Sequence, residues 1–383
     1  MNSRQRVKLS IKHKEPDRLP RFDSLWEDTV TNWLDEGAGD LIAQNDIVLN
    51  HDGISDVNLS LHNTFGYDIN LMFLDNSFRL DARLIDDDGN KITVKDRCGY
   101  TAEKFIGKSR TLHMYDHVTE SREVWNSFKA RLTVDIDNLS RIDDAPFFMR
   151  YEQCPTWDTA AERFKAVYTK NKYTMLSSYG PVEASWRHRG YMEYLMDTVL
   201  DEPLMDEMGE LHTDLIIDTM KKGFTYGIKP DGYYLVEDLG HTRGLLFSPD
   251  TYKRIVSPHH RRLADFLHSN DIDFLMHSCG KVEELIPYFI NEGLDVLQAI
   301  EAKAGQHVAS LKKEFGDDLA FMGNIDVRKL AGSKSEIDEE INEKIIPAMK
   351  GGGYIYHSDH SIPPEVSLEN YRYLMKKLDG LIY

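Results

Sequence analysis

The sequence predicts an α/β protein, a distorted (β/α)8 TIM barrel with an N-terminal helical and β-hairpin insertion. From about residue 120, helix-like and strand-like segments alternate, which implies parallel strands joined by helical crossovers. Such crossovers are right-handed, and when they continue around a circle they close a barrel. The 383 residues, of which 41 % are hydrophobic, suffice for one barrel with insertions, so we expect a single domain over 1–383.

Short elements are predicted at the start of the chain. They are a basic helix over 3–13, a strand over 21–26 and a helix over 27–36. The region 40–66 is ambiguous, and its His51 and His62 are expected to be surface or capping residues. The turn signal Asp86–Asn90 separates two extended runs, so an antiparallel β excursion is predicted over about 80–106.

The main repeats follow. Predicted helices cover 120–132, 156–170, 184–199, 203–226, 248–269, 281–291, 305–315, 335–349 and 367–378, and predicted strands cover 173–178, 232–236, 272–276, 294–298, 319–323 and 353–357. An open, doubly wound sheet is the alternative fold. No strand is followed by the Gly-rich phosphate turn of dinucleotide-binding proteins, which weakens that alternative.

Composition limits the kind of partner and compartment. The net charge is −18 and no local basic patch is evident, so nucleic-acid binding is not expected. Three unclustered cysteines argue against a disulfide framework. No stretch approaches the roughly 18 apolar residues of a membrane span, and the charged segment 1–19 lacks the apolar region of a signal peptide. We therefore expect a cytoplasmic protein without membrane association.

A His-x-Cys pair marks the end of the predicted strand 272–276. His277 and Cys279 point to the same side because side-chain direction alternates along a strand, and Gly280 lets the backbone turn away. Imidazole nitrogen and thiolate sulfur are good zinc ligands. A second strand end carries His357, Asp359 and His360, so ligand-type residues from two strand ends are expected to meet at the barrel mouth.

Other strand ends carry further candidates. Glu237, Asp238 and Tyr179 are candidates for acid–base or ligand work, and the candidates for substrate binding are Trp26, Glu301, Asn324 and Asp326. Each has a structural alternative. Glu237 or Asp238 can cap a loop, Glu301 can pair with a lysine, and the Asx residues can hydrogen-bond loop backbone. Asp359 can instead orient a metal-binding histidine.

Several stretches of the chain resemble the uroporphyrinogen decarboxylase superfamily. They are Arg4–Arg6 with Pro16–Pro20, Leu246–Pro249, His277–Gly280, Met322–Asp326, and His360–Pro364 with Leu368–Asn370. The resemblance spans nearly the whole chain and implies one distorted (β/α)8 barrel. That superfamily includes cofactor-free decarboxylases and zinc-dependent methyltransferases that move methyl groups to or from corrinoid proteins.

The resemblance is closer to the methyltransferase branch. The decarboxylases carry an arginine-rich N-terminal motif, which the segment Arg21–Trp26 lacks, and Ser55–Asn58 matches their pyrrole-binding motif poorly. The methyltransferases use His-x-Cys and a distant Cys as zinc ligands. His277 and Cys279 match the first two, and His360 stands at the place of the third, which is a departure that leaves a thiol acceptor in question.

The resemblance thus implies zinc at His277, Cys279 and His360. It implies a small-molecule methyl donor or acceptor and a corrinoid (cobamide) carried on a partner protein, and it is compatible with a homodimer. The alternative is a metal-free decarboxylase of the uroporphyrinogen decarboxylase type, in which His360 and Tyr179 bind the substrate and Asp238 protonates the carbanion. A third hypothesis is a non-catalytic barrel that only docks a corrinoid protein.

Overall fold

The structure is a computed structural model that describes residues 1–41, 61, 63–105, 112–143, 154–168 and 171–383. Its strands are β1 Ile69–Leu74, β2 Arg83–Asp87, β3 Lys91–Lys95, β4 Thr101–Phe105, β5 His113–Tyr115, β6 Ile142–Asp143, β7 Tyr173–Tyr179, β8 Gly232–Val236, β9 Gly240–His241, β10 Gly244–Leu245, β11 Asp273–Ser278, β12 Val296–Ala299, β13 Ala320–Met322 and β14 Tyr354–Ile355. His51 and His62 lie outside the described residues.

Helices alternate with these strands in the second half of the chain, as predicted. The α-helices are Ser3–Ile11, Glu27–Asp35, Arg122–Phe128, Trp157–Tyr168, Pro181–Arg189, Tyr191–Leu200, Glu202–Thr225, Pro249–Ile255, Ser257–Ser269, Ile286–Glu292, Val308–Phe315, Val327–Leu330, Lys334–Glu340, Ile346–Met349 and Leu368–Asp379. Within the described ranges, none of the helices combines the length and apolar character that crossing a membrane requires.

The central sheet is parallel and curled. Its order is β14-β13-β12-β11-β8-β7-β1-β6, and every neighbouring pair is parallel except β1 with β6. Large apolar side chains such as Met175, Leu235, Leu275 and Phe321 are buried in this core. The fold is therefore mixed α/β and resembles a TIM barrel, in agreement with the predicted class.

The segment around Arg21 lies between β14 and β1 of the curled sheet. On one side the Phe22 amide donates to the Tyr356 carbonyl at 3.0 Å, and on the other the Asp68 amide donates to the Arg21 carbonyl at 2.8 Å. Arg21 forms only an isolated parallel bridge with Tyr356, so the predicted strand 21–26 is reduced to bridge contacts. The segment nevertheless takes the place of a strand next to β1 and β14.

The structure adds one strand to the predicted elements and divides two predicted helices. Strand β1 is a buried member of the sheet that the sequence pattern did not reveal. The predicted helix 184–199 is interrupted at Gly190, whose φ of 98° is unfavourable for other residues. The predicted helix 248–269 breaks at Val256, because Pro258 in the first turn of the following helix has no N–H to continue the hydrogen bonding.

An antiparallel sheet occupies the region of the predicted β excursion. Its order is β2-β3-β4-β5, and β2 and β3 flank the turn signal Asp86–Asn90. The sheet extends past the predicted boundary near 106, because β5 pairs with β4. It has its own small core, in which Val94, Tyr100 and Cys98 are buried, so Cys98 is a structural residue.

Candidate metal centre and substrate cavity

A cavity of about 250 Å³ lies where the parallel strands end. Its lining includes Tyr179 at the end of β7, Asp238 after β8, His277 on β11, Gln298 on β12 and His357 after β14. Since side chains at the carboxyl ends of parallel strands converge on one rim, this is the position where a barrel carries its chemistry.

Asp238, His277 and Cys279 form a compact cluster in this cavity. One ligand atom from each lies within 4.8 Å of the others. The His277 Nε2 atom is 3.3 Å from the Cys279 Sγ atom and 3.4 Å from the Asp238 Oδ1 atom. One nitrogen, one sulfur and one carboxylate oxygen are a donor set that suits zinc, with the cavity adjoining the cluster. The His-x-Cys pair is therefore joined by the carboxylate of Asp238.

Gln298 fixes the orientation of the His277 ring. The two residues are register partners on neighbouring parallel strands, and the Gln298 Oε1 atom lies 2.5 Å from His277 Nδ1. The same oxygen accepts a hydrogen bond from the Tyr234 hydroxyl at 2.5 Å. With a proton held on Nδ1, Nε2 is the nitrogen that can lose its proton and bind a metal beside Cys279 and Asp238, which is the tautomer that a metal ligand needs.

The three ionisable groups of the cluster shift the pKa of one another. Burial disfavours the His277 imidazolium, but nearby Cys279, Tyr234 and Asp238 raise the pKa of His277 well above its usual value. Burial also opposes ionisation of Asp238, yet the hydrogen bond and charge of His277 lower the pKa of this carboxyl group. Burial and the charge of Asp238 raise the pKa of the Cys279 thiol, partly offset by His277. A cation at this point would favour the thiolate that binds metal.

His360 lies in the same cavity but outside the compact cluster. Its ring stacks on Trp26, with 6.3 Å between the ring centres. Burial, followed by the charge of His277, lowers the pKa of His360 to about 4, so the imidazole is neutral and able to act as a ligand. Among the described residues, Asp238 rather than His360 is the third member of the cluster that the atoms themselves define.

Glu237 faces away from the cavity. Tyr234, Val236 and Asp238 line the cavity at alternate positions, so the residue between the last two points to the other side. The Glu237 carboxylate accepts the amides of Val182 and Glu183 at 3.0 and 2.9 Å, at the start of the helix Pro181–Arg189. It also lies 3.0 Å from the His260 Nε2 atom. This carboxylate therefore anchors a helix to the end of β8.

The remaining predicted substrate-binding residues hold loops together. Asn324 is buried, and its side-chain amide donates to the carbonyls of Ile300 and Gln306 at 2.7 and 2.9 Å. Asp326 pairs with Arg328 at 2.6 Å. Asn324 and Asp326 thus take the structural role that the sequence left open for them, which is to hold loops, rather than bind substrate.

Two carboxylates near the rim have similar backbone contacts. Glu301 accepts the Gly280 amide at 2.9 Å and pairs with Lys303 at 2.6 Å. Asp359 accepts the amides of Ala302 and Val327 at 3.0 and 3.1 Å, and therefore binds loop backbone rather than a histidine. Of the four predicted substrate-binding residues, only Trp26 lines the cavity.

Among the described residues of the cavity wall, sequence reasoning missed six polar ones: Ser24, Glu183, Arg187, Tyr234, Gln298 and Ser361. Gln298 lies in the predicted strand 294–298, and an amide at the end of that strand was a usable signal. Glu183 and Arg187 lie one turn apart on the helix after β7, and this spacing occurs on any solvated helix. Their burial, which makes them notable, depends on packing alone.

Comparison with known proteins identifies the family. The family model for uroporphyrinogen decarboxylase (URO-D) matches residues 159–380. A curated uroporphyrinogen decarboxylase of Carboxydothermus hydrogenoformans is 26% identical over 142 residues, which cover 35% of this chain and 37% of that protein. The match thus spans little more than a third of that relative's length.

A solved structure shares the fold over nearly the whole chain. The structure titled methyltransferase from Methanosarcina mazei has a TM-score of 0.69 and 15% sequence identity, with 99% of each chain covered. At this identity the likeness concerns the fold. Because the family model covers more than half of the 383 residues, the chain belongs to the uroporphyrinogen decarboxylase family.

Proposed function

We propose that this protein is a zinc-dependent methyltransferase that moves a methyl group between a small substrate and a corrinoid protein. The observation that carries the proposal is the N, S, O cluster of His277, Cys279 and Asp238 beside the cavity. The name of the similarly folded methyltransferase from Methanosarcina mazei supports the same reaction class. The corrinoid would be supplied by a partner protein.

The proposal gives a task to several residues in and beside the cavity. His277 and Cys279 bind zinc, and Asp238 and His360 are the two candidates for the third ligand. Bound zinc would supply a Lewis acid that lowers the pKa of a coordinating thiol or hydroxyl group. If Asp238 is not the ligand, its carboxylate is placed to accept the proton of that group. Tyr179 and Trp26 enclose the substrate, and Glu237 acts indirectly by anchoring the helix that carries Glu183 and Arg187.

Metal content is the first test. We expect about one zinc per chain in the purified protein by mass spectrometry, and loss of that zinc in His277→Ala and Cys279→Ser. The matched controls are His268→Ala and Cys154→Ser, which change the same residue types outside the cavity. Comparing Asp238→Asn with His360→Ala then identifies the third ligand, because only the ligand's replacement should release zinc.

Methyl transfer is the second test. Cob(I)alamin can stand in for the partner's corrinoid, and its spectral change on methylation is followed with candidate methyl donors. Wild type should methylate the corrinoid with at least one donor, and the zinc-free variants should not. Turnover that persists unchanged in a zinc-free His277→Ala, Cys279→Ser double variant would contradict the proposal.

A metal-free decarboxylase is the second candidate, and the name of the curated relative favours it. Two observations weigh against a tetrapyrrole substrate. The cavity of about 250 Å³ is smaller than the roughly 300–1,000 Å³ that drug-sized ligands occupy. Among its described lining residues, Arg187 is the single arginine, whereas a substrate with eight carboxylates calls for several. A well-folded wild type that takes up no zinc but releases carbon dioxide from a small acid would favour this candidate.

A further inference from the structure

A buried charged pair in the cavity wall has no part in the metal cluster. Arg187 and Glu183 lie one turn apart on the helix Pro181–Arg189, and both side chains are nearly inaccessible to solvent. The Arg187 guanidinium carbon lies 3.9 Å from the ring centre of Tyr179 and 4.5 Å from that of Trp186. Two aromatic contacts of this kind hold the guanidinium plane in one orientation.

Glu183 has a strong hydrogen-bond partner at each polar atom, whereas Arg187 does not. Both oxygens of Glu183 have donors: Oε1 accepts from Nη2 and Nε of Arg187 at 2.6 and 3.1 Å, and Oε2 accepts from Trp186 Nε1 at 2.8 Å. The Arg187 Nη1 atom, in contrast, contacts only the Met114 sulfur at 3.5 Å among the described residues. Thioether sulfur is a weak acceptor, so Nη1 lacks a strong one.

A guanidinium donor that has only a weak sulfur acceptor, on a residue of the cavity wall, can bind an oxygen acceptor from a ligand. Buried polar groups are normally hydrogen-bonded, and guanidinium matches the planar, two-oxygen geometry of a carboxylate. Each oxygen of the Glu183 carboxylate already accepts from a donor, so within this pair it is the guanidinium that has hydrogen-bonding capacity left for a ligand. The pair therefore favours a ligand that brings an oxygen acceptor to Arg187.

The other cavity walls indicate the body of the ligand. Trp26, Tyr179 and Tyr234 contribute aromatic surface, and Leu71 and Val236 contribute aliphatic surface. Mostly apolar walls with a few placed polar groups are typical of small-molecule sites. The volume of about 250 Å³ limits the ligand to a small molecule, such as one benzene ring with short substituents.

We propose that Arg187 binds the carboxylate of a small substrate whose apolar or aromatic body fills the rest of the cavity. This inference names the substrate class of the proposed methyltransferase, and in that sense it rests on the proposed function. Binding of the carboxylate by Arg187 needs no metal, however, so the two proposals can fail separately. Arg187 is a specificity-determining residue on this view, and the methyl group is carried elsewhere on the same molecule.

The test compares benzoate with benzamide, its neutral counterpart of nearly equal size. Binding is measured by calorimetry on the Cys279→Ser variant, so that a carboxylate bound to zinc cannot account for the signal. We expect benzoate to bind more tightly than benzamide by about tenfold or more, as expected when a charged hydrogen bond is lost. Arg187→Gln should abolish this preference.

Controls keep the test independent of folding. Arg187→Gln leaves Glu183 buried and unpaired, so the double variant Arg187→Gln, Glu183→Gln is measured beside it. Arg189→Gln removes the same charge from the same helix outside the cavity and should keep the preference for benzoate. Equal binding of benzoate and benzamide, no binding of either, or a benzoate preference that survives in the double variant would overturn the inference. If the zinc-free protein prefers benzoate and the double variant does not, the inference about Arg187 is supported even if the methyltransferase proposal fails.

Discussion

Replacing Gln298 tests whether the His277 ring is held in place for a metal. The Gln298 oxygen lies 2.5 Å from His277 Nδ1 and accepts the Tyr234 hydroxyl at the same distance. Gln298→Leu keeps the volume and removes the acceptor, so the imidazole N–H and the phenol O–H both lose their partner. An unsatisfied buried donor costs about 1–3 kcal/mol. Loss of such a partner of a ligating histidine typically lowers metal affinity by about 10–100-fold.

Gln298→Glu separates this effect from general damage to the fold. The carboxylate keeps an acceptor at the same place and forms a charge-assisted hydrogen bond with His277, which makes the ring a stronger ligand. We therefore expect zinc affinity to fall by about 10–100-fold in Gln298→Leu and to stay equal or rise in Gln298→Glu. If the substitutions acted by disrupting the packing, zinc affinity would fall in both variants.

The assay is competition for zinc against a chromophoric chelator, with circular dichroism to verify folding. Tyr234→Phe is the matched control, because it removes the second donor to the same oxygen and leaves the contact with His277 in place. Its zinc affinity should stay within about threefold of wild type, which is well below the effect of the lost ligand partner. If Gln298→Leu binds zinc as tightly as wild type, the inferred role of Gln298 is wrong.

Three further predictions concern stability. Burial opposes the charge of His260, but hydrogen bonds with Glu237 and Glu292 raise its pKa from 6.5 to about 9. The charged His260 therefore contributes on the order of 3 kcal/mol to the free energy of unfolding, which is complete below pH 6.5 and lost as the pH rises through 9. Urea unfolding should show this loss of stability at alkaline pH in wild type and not in His260→Gln. Burial, followed by the charge of Arg141, lowers the pKa of His212 from 6.5 to about 3, so wild type should lose stability as the pH falls below 6.5, by about 2 kcal/mol at pH 5. The decline should be shallower in His212→Leu, and equal pH slopes for variant and wild type would contradict this. Gly280→Ala should unfold more easily by at least about 1–2 kcal/mol, because φ is +76° and an added Cβ would lie 2.3 Å from the Gly240 backbone, and thermal unfolding measures the loss.

The local sequence pattern predicted most helices and strands of the barrel-like fold. The elements that it missed have physical explanations. Alternating helices and strands were recognisable because amphipathic periods differ between the two. Strand β1 was missed because a strand buried on both faces has no alternation to detect. The helix breaks at Gly190 and Val256 were missed because an isolated glycine is also tolerated inside a longer helical pattern, and because the proline at 258 lies just after the break, in the first turn of the next helix.

Within the candidate site, too, some residues could be predicted from the sequence and others could not. His277 and Cys279 were predictable because two residues separated by one position on a strand share a side. Glu237 and Asp238 could not be told apart from sequence, since the choice depends on which residue of β8 faces the cavity. Arg187 was not predictable, because its interest lies in its burial against Tyr179 and Trp186.

The sequence by itself determined the fold class and the two residues at the centre of the cluster. Both follow from regularities over a few residues: the periods of helix and strand, and the alternation of side chains. Only the tertiary structure decided that Asp238 and Gln298 flank His277, since this depends on the parallel register of β8, β11 and β12. Register is set by packing of whole strands against a common core, and residues 21 positions apart in sequence carry no local sign of it.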